Sequence, residues 1–167
     1  MTRLPIASLA LAILPVLAPA SAGAQDIVRH KNVGSPLPIA QAVSIAPGVA
    51  LHFVSGQVPP SIDKNANQDT PAAYGDTRTQ AIGVLTRIQD VLRGMGMTMG
   101  DVVKMQVFLV GDPARGGKAD TAGFADAYAR LFGPGQPNLP ARALVQVAAL
   151  GNPGWLVEIE VIAATPR

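Results

Sequence analysis

The chain has 167 residues, no cysteine, two histidines and a formal net charge of +2, from 13 Lys+Arg against 11 Asp+Glu. The lack of cysteine rules out thiol catalysis, disulfides and cysteine–metal sites, and His30 and His52 do not have the helical spacing of a metal-ligand pair. No basic tract or stripe is present, so nucleic-acid binding has no electrostatic support.

Met1-Thr-Arg3 leads into an apolar run from Leu4 to Leu17, broken by Pro5 and Pro15, and then into the small residues Ala18-Pro-Ala-Ser-Ala-Gly-Ala24. A positive start, a short apolar stretch and an A-x-A ending at Ala22 and Ala24 predict a signal peptide over residues 1–24, cleaved before Gln25. The run is too short and too proline-broken for a comfortable membrane span. The expected product is one domain over residues 25–167, periplasmic or secreted, with no stable membrane insertion once the leader is removed. Loss of Arg3 leaves it a net charge of about +1.

Gln25 to Pro38 reads as an extended arm, because Ser35-Pro-Leu-Pro38 disfavours helix. Ile39 to Ile45 reads as a strand, Pro47-Gly48 as a turn, and Val49 to Ser55 as the hairpin partner of that strand. The polar stretch from Pro59 to Pro71 is expected to be a surface loop. A helix is predicted from Asp76-Thr77 to Gly94, with Thr77 and Gln80 at capping-box spacing and an apolar stripe of Ala81, Val84, Leu85, Ile88, Val91 and Leu92. Asp101 to Val110 alternates as a half-buried strand, with Val103, Met105, Val107 and Leu109 on one face and Lys104 and Gln106 on the other.

A second helix is predicted from Asp120 to Phe132, carrying Phe124, Tyr128 and Leu131 on one side and stopped by Gly133-Pro134. Strands near 141–147 and 156–163 follow. The order is β-β-α-β-α-β-β, an α+β sheet with two helices on one face. Several strands are apolar on both faces: Phe108 opposes Val107, and Leu144 opposes Val145. The second sheet face is therefore expected to meet other subunits.

Arg142, at the entrance to the strand Ala141 to Val147, is the main functional candidate. A planar, permanently charged fork there suits a small carboxylate ligand, or else an intersubunit or intrachain ion pair, for instance with Glu158 or Glu160. Those two glutamates alternate with Val157, Ile159 and Val161, so they share a face about 7 Å apart. Gln57 is a weaker candidate, Tyr128 reads as core, and Met95, Met97 and Met99 read as packing rather than as a copper motif. His52 reads as an ordinary strand residue.

Ser55-Gly-Gln-Val-Pro59, Met95-Gly-Met-Thr-Met-Gly-Asp-Val-Val-Lys104, Phe124-Ala-Asp-Ala-Tyr128, Leu139-Pro-Ala-Arg142 and Val157-Glu-Ile-Glu160 occur in an order and spacing that resemble the RidA (YjgF) family over residues 36–164. The resemblance implies a chorismate-mutase-like α+β fold, a homotrimer whose sheets close into a barrel, and ligand clefts between subunits. The implied activity is cofactor-free hydrolytic deamination of reactive enamine/imine intermediates of the 2-iminobutanoate/2-aminoacrylate type to 2-keto acids and ammonia. It also implies that Arg142 grips the substrate carboxylate, that Glu158 positions water, and that Ser55 and Gly56 border the pocket. No metal or cofactor is expected. Ala143-Leu144 stand where typical deaminases of the family carry Ser-Cys, and Leu37-Pro-Ile39 lacks the family's tyrosine. A non-catalytic trimeric binder of small carboxylates or exported partners is therefore the alternative reading.

Overall fold

A computed structural model of the chain describes residues 26–133, 136 and 138–166. The signal peptide expected over residues 1–24, its cleavage point before Gln25, and Pro134 lie outside the described residues. Six strands and two helices follow one another as β1 (Ile27–Lys31), β2 (Ala40–Ile45), β3 (Ala50–Gln57), α1 (Thr77–Gly94), β4 (Val102–Val110), α2 (Thr121–Phe132), β5 (Ala141–Val147) and β6 (Val157–Thr165). The strands form one mixed sheet in the order β1-β2-β5-β4-β6-β3. No helix among the described residues is long and apolar enough to cross a membrane.

Both helices pack on one face of the sheet. Ala81, Val84, Leu85, Ile88 and Leu92 of α1 are buried together with Phe124, Ala127, Tyr128 and Phe132 of α2 against Met105, Val107, Leu109, Ile159 and Val161. The alternation in β4 sets this side: its odd-numbered residues from Met105 to Leu109 point to the helices, and Lys104, Gln106 and Phe108 point away. Each fully buried large side chain here contributes roughly 1.5–3 kcal/mol. Met97 and Met99 are buried in the same core, as the packing reading expected, whereas Met95 is exposed.

The start of α1 differs from the capping box read in the sequence. Asp76 is the cap, its carboxylate accepting from the Thr79 amide at 2.8 Å. Gln80 is instead buried, donating to the carbonyls of Gly75 and Gly154 and accepting from the Leu156 amide at 2.7 Å. One amide thus ties the helix to the loop entering β6. Gln80→Leu is expected to destabilise the fold by about 2–3 kcal/mol, because it strands a buried carbonyl and a buried amide. The drop would be read from the urea midpoint, and an unchanged midpoint would refute the assignment.

The N-terminal region brings two corrections. The arm contains a strand, β1, which pairs antiparallel with β2. In addition, β2 and β3 are not hairpin partners: β3 pairs antiparallel with β6, and β2 meets β5 in parallel only at Ala40 and Ala141. The turn at Pro47-Gly48 exists, with Gly48 at φ 86°, but it joins strands that pair elsewhere. Five residue steps extend at most about 17 Å, so the β1–β2 hairpin must lie across the end of the sheet to reach from β5 to the far edge. Arg29 holds it there, donating to the carbonyls of Gly100 (2.8 Å), Val102 (2.8 Å) and Leu139 (3.0 Å).

Candidate functional site

Arg142 is the second residue of β5 and lies in register with Met105, so its side chain leaves the sheet on the helix side. There its guanidinium carbon sits 4.3 Å from the centre of the Tyr128 ring and 5.3 Å from that of Phe124, within the range of a cation–π contact. Tyr128 is itself fixed. Its ring stacks on Phe132 at 4.7 Å, and its hydroxyl donates to the Pro38 carbonyl at 2.9 Å. Burial pushes the Tyr128 phenol up to about 12, partly offset by the neighbouring Arg142 charge. Burial likewise lowers the Arg142 pKa from its ordinary value while Tyr128 raises it, and an arginine so placed stays charged at any physiological pH.

Within one chain, the ion pair expected as one possibility for Arg142 does not form among the described residues. Among the described residues the ion pairs are Arg93–Asp90 and Arg115–Asp120, and no carboxylate neutralises Arg142. A half-buried guanidinium over aromatic rings, with no carboxylate of its own chain beside it among the described residues, suits a ligand carboxylate.

Glu158 lies elsewhere. It is in register with Phe108, on the face of the sheet turned away from the helices. The same face carries the end of β3, where the pairing with β6 shifts register between Val54 and Gln57. A side chain at Gly56 would collide with the Glu158 carboxylate, whose Oε1 occupies the space a Cβ would need. Glycine at 56 is thus favoured by close approach of a carboxylate and not by its own backbone angle, and the bulged strand end brings Gly56 against Glu158. Of the four candidate residues, Gly56 and Glu158 therefore meet, Ser55 lies beside Glu160, and Arg142 stands on the opposite face of its own sheet.

Gly56→Ala should leave the fold intact, because the atom in the way is the free end of a flexible side chain, but it should displace the Glu158 carboxylate. The expected result is an unchanged melting temperature with a roughly tenfold loss in kcat for any reaction that uses Glu158. Retained kcat would show that the close approach is incidental.

Glu160 is exposed and in register with Gln106. With Lys104, Ser55, Phe53 and Ile162 it lines a shallow groove of about 370 Å³ on the same outer face. That face is markedly apolar at its edges: Phe53 is 75 % exposed and Val145 42 %. His52 bonds Thr165 Oγ1 at 3.1 Å and His30 bonds Ser44 Oγ at 2.8 Å, and no cluster of metal-ligating side chains occurs among the described residues. Leu144 points to the helix side with Arg142 and packs against the core, as does Ile39 from the segment before β2. The sequence reading placed Tyr128 in the core and missed its contact with Arg142. The signal available was the aromatic ladder Phe124, Tyr128 and Phe132 at four-residue spacing, with the hydroxyl in the middle.

A family model described as Endoribonuclease L-PSP matches residues 37–165. The chain is 32 % identical to TdcF of Escherichia coli over 82 % of its length and 94 % of that protein. It is 35 % identical to a 2-iminobutanoate/2-iminopropanoate deaminase of Bos taurus over 75 % and 79 %. Among solved structures it is similar to a Rid-family protein of Yersinia pestis, with a TM-score of 0.60 at 25 % identity, over 84 % of this chain and 99 % of that one. It is also similar to Escherichia coli TdcF with bound serine, with a TM-score of 0.55 at 28 % identity, over 80 % and 92 %.

Proposed function

The chain belongs to the endoribonuclease L-PSP family, the RidA (YjgF) proteins, and from that premise we propose that it hydrolyses small 2-imino acids to 2-keto acids and ammonia. The observation that carries the reading is Arg142, a charged fork over the Tyr128 ring with no carboxylate partner among the described residues of its own chain. The curated relatives named 2-iminobutanoate/2-iminopropanoate deaminase support the substrate class.

The chemistry needs little more than placement. Arg142 binds the substrate carboxylate through two parallel N–H···O bonds and so fixes the position of the adjacent imine carbon. A protonated imine is already electrophilic, so a water oriented by Glu158 adds to that carbon and gives an amino alcohol. Transfer of a proton to nitrogen releases ammonia and leaves the keto acid. Imine plus water balances keto acid plus ammonia, with no redox change and no cofactor. Because Arg142 and Glu158 leave opposite faces of one sheet, one pocket can use both only if they come from different copies of the chain. We infer a cleft between subunits of a homotrimer, with the apolar outer face bearing Phe53 and Val145 buried in the assembly.

The test is release of 2-oxobutanoate and ammonia from freshly generated 2-iminobutanoate. Acceleration over buffer is expected, and none would overturn the reading. The alternative is a non-catalytic binder of small carboxylates or exported partners, favoured by the apolar Leu144, which leaves β5 on the same face as Arg142 and packs against the core. It predicts carboxylate binding by calorimetry without turnover. We further propose that residues 1–24 are a leader and that the domain over residues 25–167 acts in the periplasm or outside the cell. N-terminal sequencing of the exported protein should begin at Gln25, and a retained Met1 would contradict this.

A further inference from the structure

We propose that Tyr128 is a positioning residue for Arg142: its ring sets the orientation of the guanidinium, and its hydroxyl fastens the segment before β2 beside it. The proposal rests on the reading of Arg142 as the carboxylate anchor and goes beyond it by naming what holds the anchor in place. Phe124 and Phe132, one turn to either side on α2, fill the same core without a hydroxyl. A tyrosine that served only to fill volume would need none either. The Tyr128 hydroxyl donates to the Pro38 carbonyl at 2.9 Å, and two residues on the Ala40 amide donates to the Pro140 carbonyl at 3.0 Å. Ala40 in turn pairs with Ala141, the residue before Arg142. Ring, segment and strand form a closed circuit around the base of Arg142.

The physical need is clear. An arginine side chain has many rotamers, and a fork that must meet a planar carboxylate in two parallel bonds loses affinity if it has to be ordered on binding. Tyr128 is 1 % exposed and stacked on Phe132. It offers a rigid platform 4.3 Å from the guanidinium carbon and so removes most of those rotamers before the ligand arrives.

The experiment uses 2-oxobutanoate as the probe, by calorimetry, on the wild-type chain and on Tyr128→Phe, Tyr128→Leu and Arg142→Ala. The Arg142 Nε–Hε resonance is followed by NMR and assigned by its loss in Arg142→Lys. Tyr128→Phe should weaken binding a few-fold and Tyr128→Leu roughly tenfold, with KM rising more than kcat falls. The wild-type Arg142 Hε should be shifted upfield by the ring, a shift kept in Tyr128→Phe and lost in Tyr128→Leu. Wild-type affinity in Tyr128→Leu, with binding lost in Arg142→Ala, would overturn the positioning role and leave the anchor standing. Wild-type affinity in Arg142→Ala would overturn both. Should Tyr128→Leu fail to fold, an unshifted wild-type Arg142 Hε would by itself refute the stacking.

Discussion

Arg142→Ala is expected to reduce kcat/KM for 2-iminobutanoate by about 10²–10³-fold, because it removes a charge-assisted bidentate contact that contributes on the order of 3–4 kcal/mol to binding a carboxylate. The fold should tolerate the change. Arg142 is only partly buried, and no described carboxylate depends on it. What the fold loses is the cation–π contact with Tyr128 and the longer one with Phe124, about 1–2 kcal/mol together, offset in part because a half-buried charge no longer has to be desolvated. Steady-state kinetics and the thermal midpoint separate the two effects. Loss of activity with a retained midpoint is the expected pattern. Retained activity would end the anchor reading whatever the midpoint does. Arg142→Lys should be intermediate at best, since an ammonium keeps the charge but can neither form the fork nor stack flat on the ring.

Glu158→Gln should lower kcat by about 10²-fold while leaving affinity for 2-oxobutanoate near that of the unmodified chain, because the amide keeps the volume but cannot accept a proton from water. The sharper test follows from geometry. Arg142 and Glu158 project from opposite faces of the same sheet, so a pocket that uses both takes one from each of two subunits. Co-assembling Arg142→Ala chains with Glu158→Gln chains in equal amounts should then restore about one quarter of the unmutated activity, since a random mixture puts both intact residues at that share of the interfaces. No recovery in co-assembled protein would mean that the two residues do not cooperate across an interface. Gly56→Ala, which crowds the same carboxylate, should behave like a mild Glu158 variant in this mixture.

Much of the architecture was legible without coordinates. The apolar stripe of α1, the alternation of β4 and the aromatic side of α2 are local periodicities, and such patterns survive in any fold that buries one face. The similarity of Leu139-Pro-Ala-Arg142 and Val157-Glu-Ile-Glu160 to the RidA (YjgF) pattern was carried by order and spacing, and the family model spans the same region. The β1–β2 hairpin was not legible. The alternation before Pro47 states that a strand exists but not which strand it meets, and the tight turn suggested the nearest neighbour. The actual choice depends on Arg29, more than 70 residues from the carbonyls of Gly100, Val102 and Leu139 that it binds.

The sequence by itself determined the element types, the two-layer arrangement, the absence of thiol chemistry and the identity of the candidate residues, because each depends on composition or on contacts between near neighbours in the chain. The tertiary structure alone decided how those candidates are grouped. Strand pairing turned Glu158 toward Gly56 and Arg142 toward Tyr128, and with β4 between their strands the pleat sent them to opposite faces. Alternation within a strand is local, but which face of one strand matches which face of another is set by register, and register is fixed only when the sheet assembles around its core.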